Sequence, residues 1–284
     1  MEKVLITYGD ERYAHSRERL TEEARSLGIF DRVRAYTPDD LDDRMRHHPL
    51  MKYQRGGGYW VWKPWITLNA LQQLHDGDVL VYVDSGCSLF PSKEWDVYFS
   101  KLDHNDMVVF SLATRCKQYT KRSVLDAFKP TLGPYWGEYY QLAGTVYFVR
   151  KTPFAMGFFS HMLDFCTEDN LLDVRPDEMA AQYPGFLEHR HDQALFTALV
   201  YENRQHMALL TNDFEGRHSG QAICATRIGD ERGRYAVPEK TWLDVFVKRR
   251  IGNVARGAQQ AYWRLCNHLA LRNGMFCYAK QSLS

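Results

Sequence analysis

The feature that most restricts the fold is a series of short apolar runs, each closed by turn residues and separated from the next by a helix-length segment. KVLITY (3–8) ends at Gly9-Asp10 and DRVRAY (31–36) leads into a polar stretch. DVLVYVD (78–84) ends at Ser85-Gly86, and MVVFSL (107–112), GTVYFVR (144–150) and residues 206–210 follow. Length and side-chain type make all of them strands. Between them, SRERLTEEARSLG stops at Gly28, a residue suited to the position just past a helix. Pro64 fits the first turn of a helix that runs through Leu68, Leu71 and Leu74 to Asp76-Gly77. Thr152-Pro153 opens a helix through Phe154, Phe158, Met162 and Phe165, and HDQALFTALVY (191–201) reads as another. Strands spaced by helices imply βαβ units, so the predicted class is α/β with a mainly parallel sheet flanked by helices.

No internal repeat or low-complexity segment interrupts the 284 residues, a length that suits one large α/β domain. The net charge of +1 conceals a segregation: residues 241–284 carry seven Lys or Arg against the single acid Asp244, leaving that stretch at +6 and residues 1–240 at −5. Residues 1–240 are therefore read as the body and 241–284 as a basic, amphipathic helical tail. In the tail Trp242, Val245, Phe246, Ala258, Ala261, Tyr262, Leu265 and Leu269 can share one stripe. Such a stripe suits either an anionic bilayer surface or the body itself. The N-terminus lacks a signal-type apolar core, and no run approaches the roughly 18 apolar residues of a membrane span. The expected location is cytoplasmic, with the tail a candidate for a membrane surface on that side. Six widely spaced cysteines without a Cys-x-x-Cys pair read as reduced, mostly buried thiols.

In a parallel α/β sheet, ligands bind outside the carboxyl ends of the strands. Asp84 lies at such an end, followed by Gly86, and a carboxylate there suits a hard divalent cation or a turn that bonds its own backbone. Just upstream, RGGGYWVWKPW gathers three glycines, three tryptophans, Arg55 and Lys63. Glycines allow close approach, aromatics stack on a base or sugar, and cations meet phosphate. EHRHDQ, ahead of the 191–201 helix, puts Asp192 and Gln193 in its first turn, where an acid is favoured by the helix dipole. HRHD lacks the further His that a zinc hydrolase would need.

Taken in this order and spacing, RGGGYWVWKPW, LVYVDSGC and EHRHDQALFTAL resemble bacterial glycosyltransferases of the GT-A fold that build capsule and O-antigen polysaccharides, over about residues 1–230. The resemblance implies a nucleotide-diphosphosugar donor, with Asp84 as the metal- or donor-binding aspartate and Asp192-Gln193 beside the reacting sugar carbon. It implies Mn²⁺ or Mg²⁺ as cofactor, held by Asp84. The family's second acid, two residues on, is Gly86 here, so another ligand is needed and His218 in NDFEGRHSG is the candidate. Without a metal, Lys63, Arg55 or the basic segment Arg115, Lys117, Lys121 and Arg122 would have to meet the leaving diphosphate. Thr7, Tyr8 and Asp10 are candidates for the base or ribose, Ala143 and Gly144 for the room a sugar needs, and His191 for a further donor contact.

The function the resemblance implies is transfer of a hexose from a nucleotide sugar, a UDP-sugar first, to a growing lipid-linked glycan, with no nucleic-acid partner. Two rivals stand beside it. A nucleotidyltransferase would carry a basic, Gly-rich loop after the first strand, which YGDERYAHS lacks. A non-catalytic glycan- or nucleotide-binding domain would keep the aromatics, and Gly86 in place of an acid leaves that reading standing.

Overall fold

The computed structural model describes residues 1–211, 214–226, 241, 247 and 252–272. Seven strands form its central sheet: β1 (Lys3–Tyr8), β2 (Arg32–Tyr36), β3 (Val79–Val83), β5 (Met107–Arg115), β6 (Tyr140–Leu142), β7 (Val146–Arg150) and β8 (Met207–Thr211). The order is β2-β1-β3-β7-β5-β6, with β8 also on β5. β1, β2, β3, β5 and β8 run one way, and β6 and β7 run the other. The sheet is thus mainly parallel and flanked by helices, as the sequence pattern implies. β4 (Ser88–Leu89) and β9 (Ile223–Cys224) pair separately.

Strand alternation divides the core in two. On β3, Val79, Val81 and Val83 join one apolar cluster, while Leu80 and Tyr82 join the other. Asp84 continues the second series, so the pleat aims it at the face carrying the Trp62–Gln72 helix. The departure from a simple βαβ series is β7, which lies antiparallel beside β3 with Val83 opposite Val146. Antiparallel entry brings residues 144 and 145 to the edge where β1 and β3 end, and the Asp84 amide donates to the Thr145 carbonyl at 2.9 Å. The His191–Glu202 helix starts beside that edge, its Gln193 side chain 3.4 Å from the point a Cβ on Gly144 would occupy.

A 20-residue helix, Asn253–Arg272, packs on the body through Trp263, the buried Ala270 and a set of amides. Gln260 Nε2 donates to the Tyr201 hydroxyl (2.6 Å), Asn267 Nδ2 to the Tyr139 hydroxyl (3.0 Å), and the Tyr135 amide to Asn267 Oδ1 (2.7 Å). Ala258, Ala261, Tyr262, Leu265 and Leu269 of the expected stripe face outward. Trp242, Val245 and Phe246, like the 240/241 boundary, lie outside the described residues. Among the described residues no helix is long and apolar enough to cross a membrane. Cys87, Cys116, Cys166 and Cys224 are buried free thiols.

Candidate active site

The site is built around Lys63. The Trp62–Gln72 helix lies on the Leu80–Tyr82–Asp84 face of β3, and Lys63, second in that helix, points inward with only 4% of its surface exposed. Its Nζ lies 3.1 Å from Asp192 Oδ2, 3.1 Å from the Gly144 carbonyl and 3.5 Å from Asp84 Oδ1. An ammonium has three N–H donors, and these three acceptors match them. Burial by itself favours the neutral amine, yet Asp192 and then Asp84 outweigh it, and the Lys63 pKa is raised, so the group is an ammonium at neutral pH. The Tyr82 hydroxyl donates to the same Asp84 oxygen, Oδ1. Burial and the neighbouring Asp84 carboxylate push the Tyr82 pKa well up, which keeps it a donor.

Asp84 stands at the junction of two adjoining clefts. The larger, about 420 Å³, is lined by Tyr8, Asp10, Arg12, Trp62, Gly86 and Glu215 among others. The smaller, about 220 Å³, is lined by Lys63, Gly144, Glu188, His191, Asp192 and Gln193. Arg55, Trp60, Asp84 and Thr145 line both. Tyr8 and Trp62 stack at 3.8 Å between ring centres and form a flat aromatic wall. Asp10 is engaged by Arg12 at 2.6 Å.

The glycine run shapes the wall between the clefts. Gly56, Gly57, Gly58, Tyr59 and Trp60 all have positive φ, and Tyr59 and Trp60 hold it at the expense of side-chain strain. A Cβ on Gly56 would stand 2.5 Å from the Trp60 ring, and one on Gly58 would meet Met51 Sδ at 2.7 Å and the Leu50 carbonyl at 3.2 Å. This loop is latched to Asp173, which takes Arg55 Nη1 at 2.8 Å and the Tyr59 hydroxyl at 2.7 Å. Gly58→Ala is expected to lower stability by about 2–3 kcal/mol, combining positive φ with overpacking. Chemical denaturation measures that cost.

His191 opens its helix at φ 43° and stacks on Trp60 at 5.3 Å. Its Nδ1 lies 2.7 Å from the Leu171 carbonyl, an acceptor only, so Nδ1 carries the hydrogen. Burial lowers its pKa, which leaves the ring neutral with the lone pair on Nε2. Nε2 has no hydrogen-bond partner, and the nearest carboxylate, Asp173, is 3.8 Å away.

The structure therefore brings Tyr8, Asp10, Arg55, Lys63, Asp84, Gly86, Gly144, His191, Asp192 and Gln193 to one pair of clefts. Thr7 does not join them, because strand alternation turns it away from Tyr8 and buries it fully. Ala143 is 2% exposed in the apolar cluster on the far face of the sheet. The basic segment is engaged elsewhere: Arg115 and Lys117 hold Glu138, Lys121 donates to the Leu172 carbonyl, and Arg122 pairs with Asp126. His218 lines a separate depression with Phe90, Pro91 and Arg217.

A divalent cation on Asp84 is not matched by these residues. Asp84 already accepts from Tyr82 and faces the Lys63 ammonium, and its expected partner His218 is not brought to it. Among the described residues no three His, Cys, Asp or Glu side chains gather into a metal-holding group. Three residues that shape the site carried no sequence signal of their own: Asp173 in an ordinary polar stretch, Tyr82 inside a strand, and Thr145 as a backbone acceptor.

No protein-family model and no curated protein matches this chain. Among solved structures it is similar to mouse xyloside xylosyltransferase 1, at 14% identity over 74% of this chain and 85% of that one, with a TM-score of 0.42. It is similar also to a glycosyltransferase involved in the glycosylation of the major capsid of PBCV-1, at 14% identity over 79% and 93% of the two chains and a TM-score of 0.43. A third is the galactosyltransferase LgtC in complex with donor and acceptor sugar analogs, at 12% identity over 72% of each chain and a TM-score of 0.39. All three are glycosyltransferases.

Proposed function

We propose that this protein is a GT-A-type glycosyltransferase that moves a hexose from a UDP-sugar to a growing lipid-linked glycan of a surface polysaccharide. The observation that carries the reading is the pair Asp84 and Asp192, joined by the buried Lys63 ammonium where two clefts of different character meet. A nucleotide sugar has an aromatic base, an anionic diphosphate and a neutral sugar in sequence. The larger cleft offers the Tyr8–Trp62 wall and Asp10 for base and ribose, then Arg55 for the diphosphate, and is of a volume suited to such a ligand. The sugar carbon then falls at the Asp84–Asp192 junction, and the smaller cleft receives the acceptor.

The chemistry asks little covalent work of the protein. Asp192 supplies negative charge where positive charge develops on the sugar, or takes the acceptor's proton in an inverting reaction. Arg55 offsets charge on the departing diphosphate. A melting screen of nucleotides and nucleotide diphosphosugars tests the reading. A donor present at a hundredfold its Kd stabilises by about 2.7 kcal/mol, a shift of several degrees. The expected result is a shift with UDP-sugars that is smaller with UMP, and no shift with any nucleotide sugar would refute it.

We also assign the Asn253–Arg272 helix to an anionic bilayer surface at the cytoplasmic face of the inner membrane. The helix has no acid and carries Arg256, Arg264 and Arg272, while Tyr262, Leu265 and Leu269 are 59%, 57% and 47% exposed. Cutting the chain at 240 would uncover Tyr139 and Tyr201, so a surface variant is the cleaner probe. Leu265→Glu/Leu269→Glu is expected to abolish co-sedimentation with phosphatidylglycerol vesicles at unchanged melting temperature. Equal pelleting of variant and wild type would remove the membrane assignment.

A further inference from the structure

We propose that the Lys63 ammonium is the resident cation of this site: it holds Asp84 and Asp192 together in the way a bound divalent ion would, so nucleotide binding needs no divalent metal. The inference rests on the reading of the clefts as a nucleotide-sugar site and specifies how that site handles charge.

The observations are geometric. Lys63 is fixed at the start of a helix that packs on the core through Trp62, Ile66, Ala70 and Leu71, and its Nζ lies 5.8 and 5.1 Å from the Trp62 and Tyr82 rings. All three of its donors have acceptors, and two of these belong to different elements, the end of β3 and the start of the His191–Glu202 helix. That is the task of a metal bridge: to draw two carboxylates from separate segments into one place. A divalent ion set against both carboxylates would stand within a few ångströms of a fixed positive charge, where like charges repel. The Gly86 position agrees with this arrangement, since an ammonium needs no second acid there. With its donors satisfied, Lys63 acts as a positioning residue, and the diphosphate is left to Arg55, which lines both clefts and keeps half of its side chain exposed.

Two measurements on the full chain test the inference separately from the reading beneath it. Titration of Mn²⁺ alone, followed by its electron paramagnetic resonance signal, is expected to show no stoichiometric binding to wild type or to Lys63→Arg. Lys63→Met, which uncovers the two carboxylates, is expected to bind Mn²⁺ at least tenfold more tightly than wild type. Tight Mn²⁺ binding by wild type that Asp84→Asn removes would overturn the inference, as would Lys63→Met that folds without any gain. Should Lys63→Met fail to fold, wild type and Lys63→Arg decide the matter. Calorimetric titration with UDP is then expected to give the same Kd within twofold in EDTA and in Mn²⁺. UDP binding seen only with Mn²⁺ overturns the inference and leaves the glycosyltransferase reading intact. Absence of UDP binding in both conditions counts against that reading, while the Mn²⁺ titration still judges the inference.

Discussion

Asp192→Asn is expected to lower kcat at least about a hundredfold while the donor Kd changes by less than about threefold. Loss of a positioned acid-base or electrostatic group has that order of effect on the chemical step. The carboxamide keeps the shape of the carboxylate, and the larger cleft, to which we assign the donor, is not lined by Asp192. Read as a helix-start residue alone, Asp192 would cost about 1 kcal/mol or less when changed to Asn. Its 3.1 Å contact with Lys63, both side chains under 10% exposed, raises that figure. An ammonium left with Asp84 alone is under-compensated, and a loss on the order of 2–3 kcal/mol is expected, within reach of a hydrogen bond to a charged group. Measuring kcat below the melting transition separates the two effects. If activity falls only in proportion to the unfolded fraction, Asp192 is a structural partner of Lys63 and has no part in the chemistry.

Lys63→Met is expected to cost the most stability of any single change at the site, about 3–5 kcal/mol, because removing one partner of a buried ion pair strands the other charge. For a chain of this size that is a fall in Tm on the order of 10 °C. The Lys63→Met/Asp192→Asn double variant should be more stable than the sum of the two single losses, since the second change removes the charge the first one strands. Additive losses would mean that Lys63 and Asp192 are near each other without depending on each other.

Much of this site was legible because strand alternation is simple arithmetic. Leu80, Tyr82 and Asp84 share a face, and a helix leading into that strand with Lys63 near its start lies close to it. What no local pattern announces is β7. GTVYFVR reads equally well as a parallel or an antiparallel strand, because both are buried on two faces and show no polar alternation. Its antiparallel entry is what brings the Gly144 carbonyl to Lys63 and the Thr145 carbonyl to Asp84. Thr7 is suggested by its place at the end of β1 and Ala143 by its small side chain, and neither feature says which face of the sheet a residue takes. The pleat turns each of them the other way. The Asp173 latch joins residues more than a hundred positions apart and belongs to tertiary structure alone. The outward face of the Asn253–Arg272 helix is the reverse of the usual pattern, since its amides rather than its leucines find partners on the body.

The direct test of glycosyl transfer at this junction is release of UDP from UDP-sugars by wild type and by Asp192→Asn, assayed side by side at matched folded fraction with a lipid-linked glycan acceptor. The expected result is steady UDP release by wild type that rises with acceptor concentration, and release at least about a hundredfold slower from a variant that still binds the donor. Equal rates from the two proteins, or no UDP from wild type with any UDP-sugar that it binds, would contradict the account.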